Sequence, residues 1–379
     1  MRSSWVEIDL DALRKNTEII LEGLTPGAKL LAPLKGNAYG HGAVQCARVM
    51  AEMGASYFGV AIAEEGVELR KAGFQQPILI FGYTFDDSYD LLFDYDLIPN
   101  VFTMEQAEEL NVLAGEKGKR LTIHVSVDTG LSRLGFHYDD STVDNILAIA
   151  NMPNLYLEGV FSMFATGYLD TDDTFCRLQF QRFTQVCDQV EAAGYHIQLR
   201  HICDGGATFL YPEMHLDMVR PGSTLYGNYA FPFIEAYPVM SVKSRLAAIR
   251  RIQPGDTVGY ERNWTAQRPS VIGVIPCGFV DGTSRLASNR GCVLLHGVRC
   301  PIVGNVCMDQ MMIDITEVDD PKVGDEVVLC GTQNGVTLSQ VEVGEFSGTS
   351  DTEYGCRQGR RMPMVYLENG KVVEYVSYL

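Results

Sequence analysis

The chain has 379 residues, of which 46% are hydrophobic and 21% charged, with a formal net charge of −18. This length exceeds a typical domain of roughly 100 to 200 residues, and the composition excludes a mainly disordered chain. The acidic charge opposes binding to nucleic acid, and no apolar segment approaches the roughly 20 residues that span a bilayer, so we expect a cytoplasmic protein that binds neither nucleic acid nor membrane.

The part of the chain before residue 235 alternates short apolar runs with longer amphipathic stretches, which is typical of βα units. We predict eight strands, in the runs LLAPL, YFGVAI, PILIF, LIPNVF, LTIHVSV, LEGVFSMF, IQLRHI and MV. The four clearest helices are predicted at 43–54, 63–73, 103–118 and 173–194, and each ends near a glycine. Eight such units fit a closed (β/α)8 TIM-type barrel, which needs about 250 residues, better than an open sheet.

The second part of the chain, residues 236–379, has a different pattern. Short strand-like runs such as RPSVIGVIP, GCVLLHG, QMMIDI and EVVLCG are separated by Gly and Pro turns. We therefore predict a barrel domain over 1–235 and a mainly-β domain over 236–379. The opening run WVEIDL precedes the barrel, and its pattern leaves open whether it pairs there or in the second domain. Ten scattered cysteines without metal-site spacing indicate free thiols and no metal.

The strongest chemical signal is the segment LLAPLKGNAYGHG, in which an apolar strand runs into Lys35. The mouth of a barrel lies where such strands end, and apolar surroundings lower the pKa of an amine until it is nucleophilic near neutral pH. A lysine that merely ends a strand is the simpler alternative. Gly36, Gly40 and Gly42 favour a ligand site, because glycines let backbone approach a ligand, and Tyr39 can donate its hydroxyl to a phosphate.

Two further loops follow predicted strands at the same end of the barrel. DGGAT (204–208) follows the seventh strand and VRPGSTLYG (219–227) follows the eighth, which is where barrels often bind phosphate. Their glycines leave backbone N–H groups open to an anion. The sequence therefore predicts that a lysine and a phosphate site share one barrel mouth.

KGNAYGHG resembles the cofactor-lysine signature of the alanine racemase family, and further similar segments follow in order up to residue 366. The resemblance implies pyridoxal 5'-phosphate held by Lys35, a barrel with a C-terminal β domain, and a homodimer. Racemisation needs an acid and a base on opposite faces of the substrate α-carbon. The family segment similar to DTVGYERNWTA carries the catalytic tyrosine, so the resemblance implies Lys35 and Tyr260 as the two bases that interconvert L- and D-alanine.

The resemblance also implies which residues surround the cofactor and the amino-acid substrate. Arg220 is expected at the pyridine nitrogen, to which a permanently protonated guanidinium cannot transfer its proton. Arg133, in VDTGLSRLGF, is expected at the cofactor hydroxyl and at the substrate carboxylate. Met308 and Asp309, in NVCMDQ, are expected to line the substrate site of the partner subunit. The remaining cofactor-binding residues that we predict are Tyr39, His201, Asp204, Gly205, Gly222 and Ser223.

The chain departs from the family at five positions. Ser126 replaces a lysine that is often carbamylated, and Met163 replaces a histidine that would link the tyrosine to the arginine. Gly205 and Phe279 each lack a hydroxyl that the family usually has. Arg360 stands where a tyrosine approaches the substrate side chain. A buried arginine there would pair either with a protein carboxylate or with an anion on the ligand. We expect alanine, the substrate of the family, with tolerance for serine or an acidic amino acid.

Two other functions remain open on the same architecture. A pyridoxal-phosphate-dependent decarboxylase would need its own substrate segments, and the matches VGYERN and NVCMDQ oppose it. A non-catalytic pyridoxal-phosphate protein would resemble the barrel alone, so the second domain with Tyr260 opposes it. A degenerate racemase is the third alternative, because Ser126 and Met163 remove two usual polar partners.

Overall fold

The structure is a computed structural model that describes residues 2–168, 171–227 and 236–378. The elements up to residue 227 are β1 (Ser4–Asp9), α1 (Leu10–Glu22), β2 (Lys29–Pro33), α2 (Lys35–Gly40), α3 (Ala43–Met53), β3 (Tyr57–Val60), α4 (Ala63–Lys71), β4 (Ile78–Ile80), α5 (Tyr89–Asp94), β5 (Asn100–Val101), α6 (Met104–Glu116), β6 (Leu121–Asp128), β7 (Phe136–His137), α7 (Thr142–Ala150), β8 (Leu155–Phe161), α8 (Thr174–Ala192), β9 (Leu199–His201), α9 (Gly205–Leu210) and β10 (Met218–Val219). The elements after residue 236 are β11 (Met240–Arg245), β12 (Ala248–Ile252), β13 (Thr257–Val258), β14 (Trp264–Thr265), β15 (Ser270–Ile275), β16 (Cys292–Leu295), β17 (Val298–Pro301), β18 (Met311–Asp314), β19 (Glu326–Gln333), β20 (Val336–Leu338), α10 (Gln340–Ser347), α11 (Asp351–Cys356), β21 (Met364–Glu368) and β22 (Lys371–Val376).

Eight parallel strands close into a barrel. β10, β2, β3 and β4 pair in that order, and β5, β6, β8 and β9 pair in a second run. A parallel bridge between Leu79 and Ile98 joins the two runs on one side. On the other side the Asp217 N–H donates to the Arg200 carbonyl over 3.1 Å. The predicted (β/α)8 barrel is confirmed, and each predicted apolar run overlaps one of its strands.

The barrel has two separate apolar regions. Leu31, Tyr57, Leu79, Leu199 and Met218 belong to a small cluster contributed by strands around the barrel, which fills its interior. A much larger cluster packs the outer faces of the strands against the surrounding helices. Strands of a parallel barrel are buried on both faces, which explains why they read in the sequence as continuous apolar runs.

The first strand of the chain belongs to the second domain. β1 pairs antiparallel with β11 and parallel with β21, so residues 4–9 lie inside the large sheet β17-β16-β19-β11-β1-β21-β22. This answers the question that the pattern of WVEIDL left open. The proposed division at residue 235 stays a prediction, because residues 228–235 lie outside the described part of the chain.

The second domain is rich in strands, as predicted, and the two helices α10 and α11 add to it. α11 packs against α2, which begins with Lys35. Gly40 and Gly42 make this contact possible: a Cβ on Gly40 would lie 2.1 Å from the Gly355 carbonyl oxygen, and one on Gly42 would lie 1.8 Å from the Tyr366 hydroxyl. The second domain therefore supports the glycine loop of its own chain.

The ten cysteines are free thiols, and most of them are buried. Within the described residues, no group of three or more His, Cys, Asp or Glu side chains is arranged to hold a metal ion. Among the helices of that same part of the chain, none has both the length and the apolar character needed to cross a membrane.

Candidate active site

Lys35 lies two residues after the end of β2, at the C-terminal end of the barrel, and starts an unusual backbone turn. Residues 36–39 have left-handed φ angles between 54° and 62°. For Asn37, Ala38 and Tyr39 this conformation costs about 1–2 kcal/mol per residue. Asn37 Oδ1 accepts a hydrogen bond of 2.8 Å from the Ala43 N–H, which helps to hold the turn. Strain maintained in this way is typical of functional sites.

The Lys35 side chain borders a cavity at the barrel mouth, the Lys35 cavity. Lys35 Nζ lies 5.9 Å from the ring centroids of both Tyr39 and Phe81. Burial lowers the pKa of Lys35, and the positive charges of Arg133 and Arg220 lower it further. The amine is therefore more easily deprotonated than an exposed lysine, as a nucleophilic lysine requires.

A second cavity, the cradle, adjoins the Lys35 cavity and shares Tyr39, Met163 and Arg220 with it. Its other lining residues are Tyr168, Asp204, Gly205, Gly206, Gly222, Ser223 and Thr224. A Cβ on Gly222 would lie 2.5 Å from the Tyr39 hydroxyl, so this wall requires glycine. The cradle therefore combines close backbone with hydroxyl groups, which is the chemistry that binds phosphate.

The Thr224 hydroxyl takes the space that a side chain on Gly205 would need. A Cβ on Gly205 would lie 2.9 Å from Thr224 Oγ1. Thr224 Oγ1 is buried and has no hydrogen-bond partner among the described residues. A buried, unpaired hydroxyl is costly unless a ligand satisfies it. The Thr224 hydroxyl, in the neighbouring loop, therefore replaces the hydroxyl that this chain lacks at Gly205. Thr224 lies in the segment VRPGSTLYG, but it was not among the residues predicted from the sequence.

Two other predicted cofactor residues, Asp204 and Ser223, line the cradle and hold its loops in place. Asp204 is the N-cap of α9, and its carboxylate accepts a 3.0 Å hydrogen bond from the Ala207 N–H. Burial raises the pKa of Asp204. The Ser223 hydroxyl lies 3.1 Å from the hydroxyl of Thr352 in α11. These contacts fix both loops of the cradle, one of them through the second domain.

Arg220 is buried between the two cavities, with 6% of its surface exposed. Its Nη2 donates to the Ser162 carbonyl over 2.6 Å and contacts the Met163 thioether at 3.6 Å. Its Cζ lies 5.3 Å from the centroid of the Phe161 ring. Burial lowers the pKa of Arg220 to about 10, so it stays charged at neutral pH. The guanidinium is therefore a fixed cation in the cavity wall.

His201 does not reach either cavity. It is fully buried behind Arg220, whose Nη1 donates to His201 Nδ1 over 2.5 Å, and its other ring nitrogen contacts His124. With both nitrogens occupied, no edge of this ring is free for a cofactor. The prediction that His201 binds the cofactor directly is therefore corrected: His201 supports Arg220.

Arg133 and Ser126 line the Lys35 cavity and do not border the cradle. Arg133 is exposed, on a loop that Asp128 shapes by accepting hydrogen bonds from the N–H groups of Gly130 and Ser132. Ser126 Oγ is buried without a partner in the described part of the chain. The guanidinium of Arg133 is available to an anionic group that enters the cavity.

Tyr260 lies in a different place from Lys35. With Met308 and Asp309 it borders an open cavity of the second domain, the Tyr260 cavity, which Phe279 and Arg285 also line. Tyr260 is 72% exposed and Met308 is 55% exposed. No described residue borders both this cavity and the Lys35 cavity. The structure thus brings Tyr260, Met308 and Asp309 together, but not with Lys35 of the same chain.

The arginine that contacts Asp309 is Arg361 and not its neighbour Arg360. Arg361 Nη1 lies 2.8 Å from Asp309 Oδ1, and the same guanidinium pairs with both oxygens of buried Asp281 at 3.1 Å. Arg360 is exposed, its Nη2 donates to the Tyr378 carbonyl over 3.4 Å, and it borders neither named cavity. A role of Arg360 at a substrate side chain therefore stays a prediction.

Comparisons with known proteins agree on one family. Sequence models of the alanine racemase N-terminal domain and C-terminal domain match residues 8–230 and 239–366. The chain is 36% identical to an alanine racemase of Clostridium tetani over 385 residues, which cover 100% of this chain and 99% of the relative.

Solved structures give the same result. An alanine racemase of Clostridium difficile superposes with a TM-score of 0.95 at 32% identity, over 100% of this chain and 99% of its own. An alanine racemase of Bartonella henselae with covalently bound pyridoxal phosphate superposes with a TM-score of 0.87 at 26% identity, over 97% of this chain and 100% of its own. The likeness therefore extends over both domains.

Proposed function

The chain belongs to the alanine racemase family, and from this premise we propose that it interconverts L- and D-alanine with pyridoxal 5'-phosphate, using Lys35 and Tyr260 as the two bases. The cofactor and the reaction are those of the family. The assignment of individual residues rests on the geometry of this chain.

The residues at the barrel mouth fit the cofactor. Lys35 offers an amine of lowered pKa for its aldehyde, and the cradle offers glycine backbone, the Tyr39 hydroxyl and the unpaired Thr224 hydroxyl for its phosphate. Arg220 faces the same space as a fixed cation for the pyridine nitrogen. Asp204, Gly205, Gly222 and Ser223 shape the cradle. Once bound, pyridoxal phosphate acidifies the α-proton of an amino acid by delocalising the charge left behind.

The protein then has to hold the substrate and move one proton. Arg133 is available for the substrate carboxylate, which a guanidinium can bind bidentately. Lys35 Nζ takes or returns the α-proton on one face, and the Tyr260 hydroxyl does the same on the other. Because Arg220 keeps its own proton, it does not protonate the pyridine nitrogen, which limits charge delocalisation and favours return of the proton to the α-carbon.

Two chains are needed to bring the two bases together. Tyr260, Met308 and Asp309 are exposed on the second domain, and a tyrosine with 72% of its surface in water is a poor base for a buried α-proton. A homodimer in which the Tyr260 cavity of one subunit covers the Lys35 cavity of the other gives each site both bases. This supports a symmetric dimer with two shared sites. The cytoplasmic location stays a prediction.

The observation that carries the proposal is Lys35, half-buried and of lowered pKa, beside a cradle whose buried Thr224 hydroxyl has no partner among the described residues. The test is to purify the protein with its cofactor and record two signals. We expect a visible absorption band that borohydride abolishes, and D-alanine formed from L-alanine. A protein without the band refutes the cofactor site, and one with the band but no D-alanine from L-alanine refutes the racemase activity.

A further inference from the structure

A chain of buried polar groups continues from Arg220 into the barrel interior. Behind Arg220, His201 Nε2 lies 3.0 Å from His124 Nδ1, and His124 Nε2 lies 3.2 Å from Glu158 Oε2. Both imidazoles are fully buried, and the half-buried Glu158 also receives a hydrogen bond from Tyr57. His124 and Glu158 touch neither cavity, so the proposed function does not yet account for burying them.

The strand register is altered where His124 meets Glu158. β6 and β8 pair Ile123 with Leu157 and then His124 with Gly159, which leaves Glu158 as the extra residue of a β-bulge. Bulges redirect side chains and are frequent next to active sites. A Cβ on Gly159 would lie 2.6–2.9 Å from atoms of the His124 ring, so the imidazole fills space that only glycine leaves free. The backbone is thus built around this pair.

The positions of the protons follow from Arg220. A guanidinium only donates, so His201 Nδ1 must accept and the proton of His201 lies on Nε2. That proton is donated to His124 Nδ1, which places the proton of His124 on Nε2, facing Glu158. Burial lowers the pKa of both histidines, and Arg220 lowers it further, so both rings stay neutral. Each group accepts from one neighbour and donates to the next, and the carboxylate ends the chain.

We propose that His124 and Glu158 are positioning residues for the racemase, which hold Arg220 in place through His201. Among the described residues, Nη2 donates to two backbone carbonyls and contacts the Met163 thioether, whereas the one hydrogen bond of Nη1 is to His201. Because this series of hydrogen bonds ends on the Glu158 carboxylate, His201 Nδ1 becomes a stronger hydrogen-bond acceptor for Arg220. The inference rests on the proposed contact between Arg220 and the pyridine nitrogen.

The experiment uses the holoenzyme and the absorption maximum of the bound cofactor, together with kcat and KM for alanine. The variants are Glu158→Gln, which removes the charge, and His124→Leu, which removes both ring nitrogens. His124→Asn keeps an acceptor close to the position of Nδ1. The matched control is Asp325→Asn, because Asp325 forms a similar pair with His296 at 2.9 Å on the surface of the second domain.

Glu158→Gln and His124→Leu should shift the cofactor band and lower kcat about tenfold with little change in KM, as for residues that orient a directly contacting group. His124→Asn should restore part of the loss, and the control should match the wild type. In an Arg220→Lys background, Glu158→Gln should add no further shift. Unchanged band and kcat in folded Glu158→Gln, or an equal further shift in the Arg220→Lys background, would overturn the inference.

Measurements of stability and cofactor content distinguish loss of the positioning role from misfolding and from failure to bind the cofactor. Thermal unfolding identifies a variant that does not fold, and if His124→Leu is lost in this way, Glu158→Gln and His124→Asn decide the question. A wild type without a borohydride-sensitive band would instead refute the proposed function. A normal wild type with an unresponsive Glu158→Gln refutes only the positioning role.

Discussion

The Lys35 cavity lies at the end of a closed barrel with its polar groups held by buried neighbours, whereas the Tyr260 cavity lies on an open face of the second domain with its key side chains in water. Arg220 has 6% of its surface exposed and Tyr260 has 72%. A base works when it is close to its proton and shielded from solvent. One region is therefore complete before any partner arrives, and the other needs a surface to cover it.

The largest expected effect comes from the complete region. Lys35→Ala removes both the cofactor attachment and one base, so racemisation in either direction should fall by more than about a thousandfold. The visible band should disappear as well. Lys71→Ala is the matched control, because Lys71 is an exposed lysine in the last turn of α4. A Lys35→Ala enzyme that keeps the band would remove Lys35 from the cofactor site.

Tyr260→Phe tests the open region, and it should slow abstraction of the α-proton from one enantiomer of alanine. Exchange of the α-proton should fall by about a hundredfold from one enantiomer and much less from the other, because Lys35 still serves the opposite face. Solvent deuterium incorporation measured separately from L- and D-alanine gives this ratio. Equal losses from both enantiomers would show that Tyr260 is not the base of a single face.

Thr224→Val tests whether the buried hydroxyl of the cradle binds the cofactor phosphate. Valine keeps the shape of threonine, so removing an unpaired buried hydroxyl should leave the apoprotein at least as stable. Loss of a hydrogen bond to a charged phosphate should weaken cofactor binding about tenfold or more, since such bonds contribute about 1.5–3 kcal/mol. Thr184→Val, in α8 and outside both cavities, is the control. Unchanged cofactor affinity in a titration of the apoprotein would exclude Thr224 from the phosphate site.

The smallest effect on alanine turnover is expected at Arg360, which borders neither the Lys35 cavity nor the Tyr260 cavity. If Arg360 lies close to the substrate side chain, Arg360→Tyr should shift kcat/KM towards alanine and away from serine, aspartate and glutamate. Loss of a contact with a ligand carboxylate changes this preference by about 1.5–3 kcal/mol. Arg357→Tyr, an exposed arginine of the same segment, is the control. If the kcat/KM ratios among the four substrates are the same in Arg360→Tyr as in the wild type, Arg360 does not determine substrate specificity.

Features with a local signal could be predicted from the sequence. Apolar runs and amphipathic helices recur along the first domain, and they specified the barrel strand by strand. The ligand site at Lys35 could be predicted because a lysine at the end of an apolar strand is followed by a glycine-rich loop. The partner of β1 could not, because an alternating strand pattern says which face is buried but not which strand lies beside it.

The features that were missed depend on contacts between distant residues. His124 and Glu158 are brought together by a bulge between β6 and β8, and a bulge has no simple signature in either strand. The role of His201 became clear only when both of its nitrogens were found to be occupied. The relation of Tyr260 to Lys35 came from family resemblance alone, because the two residues lie in separate cavities of one chain.

The most direct test of a site shared between subunits is complementation. Lys35→Ala and Tyr260→Phe chains are inactive or impaired in different regions, so a heterodimer of the two contains one site with both bases intact. Random pairing of equal amounts should place an intact site at about a quarter of all positions and restore about that fraction of wild-type activity. Rescue to this level after verified subunit exchange is the result that we predict, and activity no higher than the mean of the two separate variants would contradict the shared site.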